Sequence, residues 1–289
     1  MDFVLQQLLT GLSIGSILLL VALGLAIIYG TMGVINMAHG EFLMLGAYGA
    51  WALKAFFGLG LLESLVIIFI GVAALGYLVE RGVIQFLYKR PLDTILATWG
   101  IGVILQQSAR LLAGGELRYV EMPSILIGQV NIFGVSVAGY RVFIFAFVAA
   151  MFAITWFLFY RTSFGMKLRA VVQDQSMASC FGINAKRIYS LTFAYGAGLA
   201  GLAGALVAPL KSVSPEMGTT YVVDAFFVVV LGGAQSLFGT VASATLLGEM
   251  NGVLAYWYND TIAKALVLLA IVVLIRFRPQ GLFSTRIRS

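Results

Sequence analysis

The chain is predicted to be all-α, a polytopic transmembrane bundle of about eight to ten helices, and three observations carry that prediction. First, 61% of its 289 residues are hydrophobic and only 10% are charged, too little polar surface for a water-soluble domain of this length. Second, apolar stretches of helix-spanning length, such as residues 8–29, 62–78, 142–160, 188–210 and 262–275, alternate with short polar connections throughout. Third, these runs lack the alternation of barrel strands, so their backbone amides are satisfied in hydrocarbon only as helices. No room remains for a soluble domain, and residues 1–289 are read as one transmembrane domain.

About nine segments are assigned, at residues 8–29, 42–57, 62–79, 92–112, 141–160, 188–210, 222–232, 239–257 and 262–276. The first carries Asp2, no Lys or Arg before Lys54 and no convincing cleavage site, so it reads as a retained span and not a signal peptide. Before the second, MGVINMAHGEFLMLGAY places Asn36, His39 and Glu41 in an otherwise apolar region. Polar groups at membrane depth are costly and usually face a cavity or a partner, so these three either line or gate a pathway or cap helix ends in a helix-breaking loop. Asn36 and Glu41 can accept hydrogen bonds from a polar solute, and His39, the only histidine, is a pH-sensitive group or a structural bond.

The fourth segment starts at Pro91, a residue suited to the first turn of a helix, and is interrupted by Trp99, Gln106 and Gln107. Trp99 and Gln106 are seven residues apart and share a face; an amide beside an aromatic plane suits a small polar solute, and interhelical hydrogen bonding is the alternative. The connection 114–140 contains QVNIFGVSV, whose alternation around Phe133 and Gly134 predicts a small hairpin. With Glu116 and Glu121 it offers a partner a docking surface or is an ordinary solvated loop. Residues 161–187 form the one long polar segment in mid-chain and read as a short amphipathic helix followed by a Gly182-Ile183-Asn184 turn.

In the sixth segment Gly196, Ala200, Gly204 and Ala208 make a stripe of small residues at four-residue spacing, which lets a neighbouring helix approach closely. The stretch 221–251 holds Asp224, Gln235, Glu249 and Asn251; Asp224, placed near the outer end of a short span, and Glu249 are pathway candidates. All five prolines fall at helix ends or in loops. Breaks are expected instead at Gly30, Gly33 and Gly40, and at Gly232, Gly233 and Gly239; paired Gly-interrupted segments in two halves of a chain point to a midplane pathway.

Basic residues gather in three places: Arg81, Lys89 and Arg90; Arg161, Lys167, Arg169, Lys186 and Arg187; and Arg276, Arg278, Arg286 and Arg288. The positive-inside rule puts all three in the cytoplasm, with the N-terminus outside, the C-terminus inside and an odd number of crossings. The first inside loop has no Lys or Arg, so a re-entrant segment there would alter the count. This clustering accounts for the net charge of +6 by topology, without nucleic acid. The single cysteine, Cys180, excludes an internal disulfide and reads as an ordinary small residue. No glycine is followed by lysine, so a phosphate-binding loop is absent, and one histidine offers no catalytic set or metal-ligand spacing. The chain is expected not to be an enzyme and to hold no cofactor or metal.

INMAHGEFLMLGAY (35–48), RPLDTILATWGIGVILQQ (90–107), SFGMKLRAVVQDQSMASCFGIN (163–184) and YVVDAFFVVVLGGAQSLFGT (221–240) resemble the permease subunits of bacterial ATP-driven (ABC) importers for branched-chain amino acids and urea, nearly end to end. The second and fourth pieces look most like the urea branch; Ala234-Gln235-Ser236 departs from it, where many members carry Gly ahead of Ser or Lys. The resemblance implies the ABC importer permease fold in the bacterial cytoplasmic membrane, a second homologous permease in a heterodimer and an external solute-binding protein. It also implies two cytoplasmic ATPases, which bind ATP and Mg and grip a cytoplasmic coupling helix through Phe164, Gly165, Lys167, Arg169, Asp174, Met177, Gly182 and Asn184. Urea or a short amide would then pass Asn36, His39, Glu41, Trp99, Gln106, Gln107, Asp224 and Glu249; the alternatives are a branched-chain amino acid permease, an ATP-independent urea or amide channel, an intramembrane enzyme and a purely structural subunit.

Overall fold

The computed structural model describes residues 2–88, 90–132, 135–233, 236–277 and 281. Lys89, the Phe133-Gly134 turn, Ala234, Gln235, Pro279, Arg278, Arg286 and Arg288 lie outside the described residues. Among those described, the helices are α1 (Asp2–Met32), α2 (His39–Phe57), α3 (Leu61–Gly82), α4 (Pro91–Ala113), α5 (Gly139–Arg161), α6 (Ser163–Gln173), α7 (Gln175–Cys180), α8 (Ala185–Val207), α9 (Met217–Gly232), α10 (Leu237–Trp257) and α11 (Asp260–Phe277). Each of the long apolar segments expected from the sequence is one of these helices. The expected hairpin is present as β1 (Gln129–Ile132) paired antiparallel with β2 (Val135–Ala138). Among the described residues five helices are long and apolar enough to cross a bilayer, while α9 at 16 residues rises only about 24 Å.

The centre of the bundle is α1 and α8. Residues Leu20, Val21, Ala22, Leu23, Leu25 and Ile28 are buried on every side of α1, the pattern of a helix enclosed all round. The other helices surround this pair, with α8 packed on α1, α2 and α3, and α1 on α5, α9 and α10. At the periphery, α4 rests mainly on α2, and α11 on α10 and α9.

Close approach is obtained with glycine. A β-carbon on Gly196 would run into Ile28, one on Gly204 would overlap the Leu43 carbonyl, and one on Gly46 would overlap the Gly201 carbonyl. The small-residue stripe of α8 therefore does the packing its spacing predicts. A second contact was not foreseen: Gly11 and Gly15 of α1 meet Gly248 and Gly252 of α10, two G-x-x-x-G pairs face to face. The expected helix breaks are corrected here. Gly30, Gly40 and Gly239 lie inside helices, and only Gly33 and Gly233 interrupt the chain, both with positive φ. Gly40 instead lets the Gly218 carbonyl of α9 approach α2. Asp224 is likewise two turns inside α9, since that helix starts at Met217.

The two ends of the bundle differ. One, the hairpin end, gathers β1 and β2 with the N-termini of α1, α5, α9 and α11 and the C-termini of α2, α4, α8 and α10. It is tied by the Tyr140 hydroxyl donating to the Leu206 carbonyl (2.8 Å), an Arg110–Glu216 ion pair (2.9 Å) and the Arg118–Val213 backbone bridge. The opposite, lever end carries α6 and α7 between α5 and α8, so that Arg81, Arg90, Arg161, Lys167, Arg169, Lys186 and Arg187 share one end, as the charge pattern anticipates. There the Tyr88 hydroxyl donates to the buried Glu80 carboxylate, and burial together with that carboxylate holds the phenol well above its usual range.

Candidate functional site

The connection between α1 and α2, residues 33–38, starts at the exposed Gly33 and runs inward, with Val34, Asn36 and Ala38 buried. Gly33, at φ +65°, donates to the Tyr29 carbonyl (2.9 Å) and ends α1. The chain then folds back into the bundle, so that His39 Nε2 bonds the Val21 carbonyl (2.9 Å), about three turns before the end of α1. The first loop, which has no Lys or Arg, is thus a largely buried break in the chain. It is fastened to α4 by the Met37 amide, which donates to Thr98 Oγ1 (3.1 Å); Thr98 is fully buried and anchored to its own helix through the Thr94 carbonyl (2.8 Å).

Three side chains on this break are enclosed: Asn36 and His39 are 0% exposed and Glu41 5%. The Asn36 carbonyl oxygen accepts from the Ala38 amide (3.1 Å), a local turn just before α2, whose N-cap residue is Ala38. Yet Asn36 Nδ2, His39 Nδ1 and Glu41 Oε2 have no hydrogen-bond partner among the described residues. Because the Val21 carbonyl only accepts, His39 carries its proton on Nε2, which leaves Nδ1 an acceptor. One donor and two acceptors are therefore uncommitted within six residues, at a desolvation cost of about 1–3 kcal/mol each. Such a set offers both hydrogen-bonding senses to a polar solute. Glu41 lies against Gly102 of α4, where a β-carbon would stand 3.4 Å from Glu41 Cγ, so that any larger side chain would press on it.

The other expected pathway residues divide into separate places. Trp99 is 61% exposed, Gln107 is exposed and Gln106 half-buried, on parts of α4 that α2 does not cover, while Thr98 and Gly102 on the same helix face the break. Thr98 and Gly102 were missed from the sequence because a threonine and a glycine in an apolar helix carry no signal of their own. Asp224 pairs with Lys264 of α11 (3.4 Å) at the hairpin end and does not join Asn36, His39 and Glu41. Glu249 sits against Gly11 between α10 and α1, its Oε2 also without a hydrogen-bond partner among the described residues.

At the lever end the mid-chain polar segment is two helices and a turn. Thr162 caps α6, Asp174 caps α7 by accepting from the Met177 amide (2.9 Å), and Asn184 caps α8 by accepting from the Arg187 amide (3.1 Å). Gly182, at φ +76°, makes the turn between α7 and α8. Gly165 is buried against the Phe159 backbone, Phe164 stacks edge-on with Phe159 at 6.0 Å, and Arg169 donates to the Phe159 carbonyl. Those three fasten α6 to α5. Lys167 and Met177 remain exposed, and with them Met166 and Phe181, at 66% and 80% exposure, present an apolar surface that reading by charge passed over. A cleft of about 590 Å³ lies between α6, the turn and α8, lined by Phe164, Lys167, Phe181, Asn184 and Arg187.

Residues 7–276 match the family model described as branched-chain amino acid transport system, permease component. The high-affinity branched-chain amino acid transport system permease protein BraD of Pseudomonas aeruginosa is 32% identical over 97% of this chain and 95% of its own length. LivH of Escherichia coli, a permease protein of the same description, is 31% identical over 98% of this chain and 96% of its own. Among solved structures, PsaBC from Streptococcus pneumoniae in complex with Fab aligns with a TM-score of 0.50 over 95% of this chain and 91% of that one; at 17% identity this likeness shows the fold alone.

Proposed function

Because the chain belongs to the branched-chain amino acid transport system permease family, we propose that it is one permease subunit of an ATP-driven importer for branched-chain amino acids, and that the buried break at residues 33–41 gates its pathway. What carries the substrate assignment is the relatedness of nearly the whole chain to permeases described as branched-chain amino acid transporters. The urea reading drawn from residues 90–107 and 221–240 yields to it. The chemistry of the break agrees: an amino acid zwitterion presents an ammonium to Glu41 and His39 Nδ1 and a carboxylate to Asn36 Nδ2. In this reading two ATPases in the cytoplasm push on the exposed face of α6 and α7, a second permease subunit covers the open side of α4, and an external binding protein delivers solute at the hairpin end. The lever end is then cytoplasmic, in the inner membrane of a bacterium.

Uptake by vesicles containing the complete complex tests the substrate. Labelled leucine should accumulate when ATP is supplied on the lever side, with isoleucine and valine competing and urea at equal concentration leaving it unchanged. Accumulation of urea in preference to leucine would restore the urea reading, and uptake by this chain without ATPases would make it a passive channel.

The lever supplies a second test. Phe181→Ala together with Met177→Ala removes apolar surface that is mostly exposed, 80% and 58%, so the melting temperature should hold while substrate-stimulated ATP hydrolysis falls roughly tenfold or more, a loss of at least about 1.4 kcal/mol of coupling. Full stimulation by the double variant would place the ATPase contact elsewhere.

A further inference from the structure

A second polar feature lies apart from the break, at the hairpin end between α1, α9, α10 and α11. Two clefts of about 300 and 270 Å³ run together there, sharing Leu18, Asp224, Asn251 and Lys264 as walls. Among the described residues, their polar end is lined by three cations, Arg141, Lys211 and Lys264, against one carboxylate, Asp224. Asp224 is matched by Lys264 at 3.4 Å; Arg141 donates to the neutral Thr10 hydroxyl (2.8 Å), and the Lys211 ammonium lies 6.0 Å from the Tyr221 ring centre. The described walls of the cleft therefore carry an excess of positive charge. Its other end is apolar, floored by Leu18, Phe227, Leu247 and Ile271. Two of its walls, Val223 of α9 and Leu268 of α11, are 46% and 42% exposed.

We propose that this cleft holds a phospholipid of the bilayer, its phosphate among Arg141, Lys211 and Lys264 and an acyl chain along the apolar floor. A cationic end beside a greasy trough matches a headgroup joined to a hydrocarbon tail. Inorganic anions would satisfy only the first, and in a membrane-spanning bundle the exposed apolar walls Val223 and Leu268 face hydrocarbon and not water. Since two cations remain unmatched, anionic headgroups bind better than zwitterionic ones. The inference is independent of which solute the transporter carries.

Native mass spectrometry of the whole complex, exchanged between phosphatidylglycerol and phosphatidylcholine, provides the test. Wild-type protein should retain phosphatidylglycerol preferentially. Arg141→Gln with Lys211→Gln should cut that retention by roughly 25-fold, about fivefold per cation. Lys54→Gln, at the same end but outside the cleft, should leave it unchanged. Asp224→Asn removes the opposing charge and should raise retention, which decides the matter even if the double variant folds poorly. Equal retention of both lipids, no change in the double variant, or lower retention in Asp224→Asn would overturn the assignment. So would displacement of the lipid by glycerol phosphate at matching concentration, which would make this a site for free anions.

Discussion

Replacing Glu41 by leucine is expected to lower leucine transport by roughly 30-fold, about 2 kcal/mol, while leaving the folded protein as stable as before or more so. The two halves of that result have one cause. Glu41 is 5% exposed, and its Oε2 has no partner among the described residues. A buried carboxyl that bonds nothing contributes no stability to lose, and an apolar side chain of similar size relieves its desolvation. The same oxygen is available to a passing ammonium, and a hydrogen bond between charged groups is worth about 1.5–3 kcal/mol. Transport per folded molecule and melting temperature, measured together, separate the readings. If the melting temperature falls steeply and each surviving molecule still transports normally, Glu41 is a packing residue.

Gly204→Val has the opposite signature. A β-carbon at this position would overlap the Leu43 carbonyl of α2 and approach the Ala47 amide, so the neighbour in the way is backbone and cannot swing aside. With α8 packed on α1, α2 and α3, a shift there disturbs most of the bundle. The expected loss is about 3 kcal/mol or more, the upper range for overpacking a close-fitted core, and it should appear as little folded protein recovered from the membrane. Gly71→Val, on α3 with open space around it, is the matched control and should be recovered normally. Equal yields of both variants would mean that α2 and α8 are not in contact as described.

Much of this architecture could be read from composition and spacing, because a bilayer imposes length and apolarity on each helix independently of its neighbours. The small-residue stripe of α8, the hairpin and the amphipathic segment at 161–187 are local patterns of the same kind. What depends on two distant segments could not be read. The G-x-x-x-G pairs of α1 and α10 are each visible, but nothing in the chain says that Gly11 meets Gly252. Asp224 looked like a lone pathway carboxylate because its partner, Lys264, is 40 residues away on another helix. Gly40 and Gly239 looked like breaks because glycine serves close approach as readily as it ends a helix. For the candidate site, the sequence supplied Asn36, His39 and Glu41 as polar residues at depth. It left open whether they cap helices or line a path; Asn36 makes a local turn just before α2 through its oxygen, while its nitrogen is uncommitted among the described residues.

The claim on which the rest depends is that the break at residues 33–41 becomes a water-accessible route when the lever is driven. Ala38 is fully buried beside this break and Cys180 is the only native thiol, so Ala38→Cys in a Cys180→Ser background reports directly on access. In the complete complex, a small water-soluble methanethiosulfonate should leave this thiol unmodified at rest and modify it while ATP is hydrolysed in the presence of loaded binding protein. The account is contradicted if the thiol remains unreactive throughout turnover while an exposed Glu121→Cys in the same preparation is labelled, or if Ala38→Cys reacts equally with and without ATP.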